Sequence, residues 1–105
     1  MDITERFLNY TKFDTQSAED SQSVPSTKKQ LAFAEYLMKE LKAEGLDDVE
    51  MDDNGYVYAT LKSNVKGEVP TIGFISHYDT SPDCSGKDIK ARIVKNYDGS
   101  DITLS

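Results

Sequence analysis

The spacing of apolar positions changes along this chain, and each change predicts an element. Leu31, Ala34, Leu37, Met38 and Leu41 recur at helical spacing, and Gly45 stands where a left-handed residue would stop the helix. Thr27 with Gln30 fits a capping box at the start of that helix, and Ser26 is an equally good cap one residue earlier. A shorter amphipathic helix is predicted over Met1 to Lys12, where Ile3, Phe7, Leu8 and Tyr10 fall near one face. Between the two, Asp14 to Ser23 is polar and reads as a loop closed by Pro25. Leu46 to Met51 and Tyr56 to Leu61 read as strands, and Asp53-Asn54-Gly55 between them predicts a hairpin with a type I′ turn. Ile72-Gly73-Phe74-Ile75 is different again: short, continuously apolar and bounded by polar residues, the pattern of a buried central strand. Ile89 to Val94 is a further candidate strand, and Ile102-Thr103-Leu104 begins another apolar element before Ser105. Helices interleaved with strands predict an α/β arrangement, a mixed β-sheet flanked by helices.

The abrupt switch after Ile75 carries the chemistry. Ser76, His77, Tyr78, Asp79 and Thr80 follow the apolar run directly, and His77 is the only histidine. Open α/β sheets place their sites at the carboxyl ends of strands. Residues two apart in an extended chain point to one side, so His77 and Asp79 can project into a common space. A carboxylate beside a histidine fixes its tautomer and ring orientation, which suits a metal ligand with its own orienting acid. His-x-Asp alone is equally the signature of a hydrogen-bonded histidine near a strand end. Asp83, in the Ser-Pro-Asp turn, reads as a turn-capping residue rather than a ligand. Ser76 and Ser81 lack the strained elbow a serine nucleophile requires, since no Gly-x-Ser-x-Gly is present. Tyr56 and Tyr58 read as strand packing.

Composition narrows the classes. At 105 residues the chain is one domain's worth; 37% of it is hydrophobic and 30% charged, which suits a modest core or a piece of something larger. A net charge of −7, without a Lys/Arg cluster, argues against nucleic acid and anionic membranes as partners. The single cysteine, Cys84, excludes an intrachain disulfide and favours a reducing compartment. With no signal-like or membrane-spanning apolar run, the cytoplasm is the expected location.

The surrounding text adds to the tripeptide. G-F-I-S-H-Y-D-T-S-P-D after Val69-Pro70 resembles the first metal-ligand segment of the M20 zinc metallopeptidase family. E-R-F-L-N-Y followed by D-T-Q-S, V-P-S-T before a helix, S-G-K after Cys84 and then I-V-K-N-Y extend the likeness over nearly the whole chain, in order. The resemblance implies that residues 1–105 are the amino-terminal part of a single catalytic domain, with the rest of it and any dimerisation or lid domain absent. It implies His77 as a ligand of one of two zinc ions and Asp79 as the catalytic-site carboxylate that orients the imidazole. The family's bridging aspartate, Glu-Glu pair and second histidine have no counterparts here. The flanking residues favour enzymes that remove the amino-terminal residue from tripeptides. Another M20 hydrolase, a dipeptidase or deacylase, or a non-catalytic binding domain with a structural His-x-Asp, are the alternatives. On this reading the isolated chain is inactive and holds zinc weakly if at all.

Overall fold

The computed structural model describes residues 1–104. In chain order it forms helix α1 (Ile3–Tyr10), helix α2 (Gln30–Ala43), strand β1 (Asp47–Met51) and strand β2 (Val57–Thr60). The strands pair antiparallel as a two-stranded sheet. Helices and sheet together make the α/β mixture the sequence predicts.

A capping box that the sequence reading did not pick out starts α1. The Glu5 amide donates to Asp2 Oδ1 at 2.8 Å, and the Asp2 amide donates to Glu5 Oε2 at 3.2 Å. The helix is short and buries none of its residues fully. It is tied to α2 through Tyr10, whose ring meets Phe33 edge-on at 5.1 Å and whose hydroxyl donates to Glu40. Burial, and then that bond to a carboxylate, push the Tyr10 hydroxyl's pKa well up, so it remains a donor. Arg6 adds ion pairs to Glu40 and Glu44.

The start of α2 differs from expectation. Its first residue is Gln30, preceded by Lys29 without a side-chain cap. Ser26 and Thr27 do not cap the helix because their hydroxyls serve the preceding loop. Thr27 donates to the Gln16 carbonyl at 2.8 Å, and Ser26 accepts from the Ala18 amide at 3.1 Å. The predicted stop holds: Gly45 has φ +82°.

The buried face of α2 is rotated from the predicted stripe toward Gln30, Phe33 and Ala34, which are its buried residues. Phe33 is the centre of an aromatic cluster. Phe13 lies 5.1 Å from it, Tyr78 5.7 Å and Tyr36 6.2 Å, ring centre to ring centre. Tyr56 and Tyr58, expected to pack, are instead half exposed on the hairpin.

The hairpin sits where predicted but turns differently. Of Asp53, Asn54 and Gly55 only Gly55 has positive φ, at +84°, so the turn is not type I′. The Gly55 amide donates to the Asp52 carbonyl at 3.0 Å and the Asp52 amide to the Tyr56 carbonyl at 3.0 Å. That is a three-residue loop, a type I turn followed by a left-handed glycine. Asp52 Oδ1 also accepts from the Asn54 and Tyr56 amides at 3.0 and 2.9 Å, fastening the turn. Farther along, the register slips between Asp47 and Glu50, with Asp48 at φ +50°: a bulge.

The predicted central strand is a correction. Ile72 to Ile75 has no ladder partner among the described residues, and Phe74 and Ile75 are 95% and 100% exposed. An apolar run becomes a strand only when a neighbour supplies its hydrogen bonds and covers its faces. Here β1 and β2 pair with each other and neither reaches it. Ile89 to Val94 and Ile102 to Leu104 are likewise outside any strand and exposed. The radius of gyration, 17.2 Å, exceeds the roughly 13 Å of a close-packed domain this long, in keeping with a second half that packs little.

A backbone bridge joins that second half to the first. Thr80 forms a parallel bridge with Gln16: its amide donates to the Thr15 carbonyl at 3.0 Å, and the Ser17 amide donates to the Thr80 carbonyl at 2.9 Å. This bridge sets down the His77–Asp79 segment beside the aromatic cluster.

Candidate active-site segment

Extended backbone alternates its side chains, and residues 77 to 79 obey that rule without belonging to a sheet. Tyr78 turns inward, its ring edge-on to Phe33 and its hydroxyl donating to the Gly55 carbonyl at 2.9 Å. Its neighbours on either side therefore point away from the core. His77 Nδ1 lies 2.8 Å from Asp79 Oδ1 and 3.0 Å from the Asp79 carbonyl oxygen. The structure thus brings together the two residues that the sequence singles out.

Both partners of Nδ1 are acceptors, so Nδ1 carries the proton and the neutral ring keeps its free lone pair on Nε2. Nε2 makes no hydrogen bond among the described residues, and the side chain is 84% exposed. The Asp79 hydrogen bonds, side chain first and backbone second, together with its charge, raise the His77 pKa above the ordinary imidazole value. A raised pKa means that the pair is held most firmly in the protonated form. That gain is complete below the ordinary pKa and lost as pH rises through the raised one. A proton NMR titration of this single histidine should place its midpoint above about 6.5, the ordinary value. Asp79→Asn should bring it back toward that value; an unchanged midpoint would show that the carboxylate does not act on the ring.

Beside the pair lies an open groove of about 760 Å³, whose lining includes Phe7, Tyr10, Phe33, Leu37 and Ile75 as well as His77 and Asp79. Its walls are chiefly apolar side chains of α1, α2, the hairpin and the segment before His77. Ser76 contributes only a long contact to the neighbouring His77 carbonyl, 3.5 Å, and no base addresses it. Asp83 is spent on its own turn, accepting from Ser81 Oγ at 2.9 Å while its amide donates back to that oxygen at 3.2 Å.

Among the described residues no group of three or more His, Cys, Asp or Glu is gathered as a metal site would require. His77 nevertheless fits a zinc ligand in its chemistry: Nδ1–H is engaged by a carboxylate and Nε2 is free. One imidazole falls short of the usual three protein ligands of catalytic zinc. The sequence reading missed the contact of Tyr78 with the Gly55 carbonyl, which covers the residue between His77 and Asp79. The signal was there in the alternation, since a Tyr between His77 and Asp79 must face the opposite way.

No protein-family model matches the chain. Individual proteins do. It is 62% identical over 104 residues to Peptidase T of Clostridium botulinum, an alignment that covers 99% of this chain and 26% of that protein. Peptidase T of Clostridium acetobutylicum is 57% identical over the same coverage. The chain therefore spans about a quarter of the length of the curated relatives it matches. Similarity of this degree, end to end, makes the chain homologous to a segment of a peptidase. Over its whole length the chain is similar to a segment of proteins named Peptidase T.

No helix among the described residues is long and apolar enough to cross a membrane.

Proposed function

We propose that this segment supplies one zinc ligand, His77, and its orienting carboxylate, Asp79, to a metal-dependent aminopeptidase acting on tripeptides. The observation that carries the reading is the His77–Asp79 pair with Nε2 left free, in a chain whose relatives bear the name Peptidase T. The likeness of the His77 segment to the M20 metallopeptidases supports two zinc ions for the whole enzyme, with the remaining ligands outside this chain's residues. Zinc, when bound, lowers the pKa of a water and polarises the scissile carbonyl.

This chain's own residues have narrower tasks. The Asp79 carboxylate holds the proton on Nδ1 and so keeps the Nε2 lone pair available. It also raises the basicity of the ring, since an imidazole that donates to an anion is the better electron-pair donor. The cytoplasm is the location that goes with this reading, and the net charge of −7 offers nothing to nucleic acid.

The test is a gene that contains this segment together with the rest of a peptidase T length. Its product should release the amino-terminal residue of tripeptides, lose that activity to a chelator and regain it with zinc. Retention of full activity after exhaustive chelation would defeat the metal assignment. For the 105-residue chain alone, calorimetric titration with zinc should show weak binding at most, because a single imidazole with an orienting acid is an incomplete ligand set. A tight stoichiometric site would mean that other residues of this chain ligate.

A further inference from the structure

We propose that Tyr78 is the positioning residue of the His77–Asp79 pair, clamped between the Gly55 carbonyl of the hairpin turn and the ring of Phe33. The proposal rests on the reading of His77 as a ligand only for its purpose. The clamp itself is geometric.

From Thr71 to His77 every residue is exposed, and Tyr78 is the first along this stretch to be covered. Its two attachments come from different elements. The hydroxyl donates to the Gly55 carbonyl at 2.9 Å, and the ring meets Phe33 of α2 at 5.7 Å and 77°. With Tyr78 fixed inward, alternation leaves His77 and Asp79 on the opposite side, where the 2.8 Å contact forms. Thr80 fixes the backbone just beyond, but it holds one end of the pair only.

The turn is shaped to receive this hydroxyl. Gly55 is buried and has φ +84°. A Cβ there would lie 2.8 Å from Tyr78 Oη and 3.0 Å from Leu31 Cδ2. Glycine is thus needed twice, for the left-handed backbone and for the space the tyrosine occupies. Burial raises the Tyr78 hydroxyl's pKa, with Asp52 and Asp79 adding to it, so the group facing the carbonyl stays a donor.

The readout is the tautomer of His77 in the 105-residue chain, which contains no other histidine. Long-range proton–nitrogen NMR at a pH above the histidine's titration reports the Nδ1–H and Nε2–H populations directly and needs no metal. Failure here is therefore separate from failure of the zinc reading. Nδ1–H should dominate in the native chain. Tyr78→Phe keeps the ring on Phe33 and removes only the hydroxyl. It should raise the Nε2–H to Nδ1–H ratio by about two- to tenfold, the range that one net hydrogen bond spans. Gly55→Ala, which drives a methyl into the hydroxyl's place, should move the ratio the same way, and it decides the matter if Tyr78→Phe does not fold. Glu40→Gln loosens the contact between α1 and α2, in which none of Gly55, His77, Tyr78 and Asp79 takes part, and should leave the ratio alone. A folded Tyr78→Phe chain with a native ratio, or an equal change in Glu40→Gln, would overturn the proposal.

Discussion

In a full-length peptidase T that carries this segment, His77→Ala is expected to abolish tripeptide hydrolysis, whereas Asp79→Asn reduces affinity for metal or activity by roughly 10–100-fold. The difference follows from what each side chain does. Alanine at 77 removes the only imidazole of the chain and with it the metal bond proposed for it, and no cluster of His, Cys, Asp or Glu among the described residues stands in for it. Asparagine at 79 still offers an oxygen to Nδ1, and the Asp79 backbone carbonyl, 3.0 Å away, continues to accept. What is lost is the negative charge that keeps the ring basic. Metal content and turnover should be measured together on purified variants. Both fall in His77→Ala, and metal content is better kept in Asp79→Asn. Normal zinc content with normal turnover in His77→Ala would make the histidine structural, and the metallopeptidase reading of this stretch would fail.

The pairing was legible in the sequence, although the strand that suggested it is not formed. Period-two alternation depends on extended backbone alone, so His77 and Asp79 share a side whether or not a ladder runs beside them. The buried strand at Ile72 to Ile75 is a different matter, because burial needs partners that local pattern cannot supply. Gly45 and the Gly55 turn were legible for a comparable reason: positive φ is a local demand, met most cheaply by glycine. The caps were not. Asp2 and Glu5 fasten α1, while Ser26 and Thr27, which look like caps, bind the Gln16–Ala18 loop instead. A hydroxyl's choice between a helix end and a distant carbonyl is settled by tertiary approach, which spacing does not record. The same holds for Phe33, whose importance comes from Tyr10 and Phe13, at and just after the end of α1, and Tyr78 far along the chain closing around it beside its own helix neighbour Tyr36.

Phe33→Ala is expected to destabilise the 105-residue chain by about 3–5 kcal/mol, the usual cost of truncating a buried phenylalanine. A domain of this size is stable by only about 5–15 kcal/mol, so this one change removes a large share or all of the margin. Phe33 and Ala34 are the hydrophobic residues fully buried among those described, at 6% and 0% exposure, and α1 buries nothing of its own to compensate. The substitution also strips the ring against which Tyr78 rests. Phe74→Ala is the matched control: the same side chain, 95% exposed, should cost no more than about 0.5 kcal/mol. Urea unfolding followed by far-ultraviolet circular dichroism compares the two directly. A midpoint for Phe33→Ala near zero denaturant, with Phe74→Ala close to native, is the expected result. Equal shifts in the two variants would mean that the aromatic cluster around Phe33 is not where the stability of this chain resides.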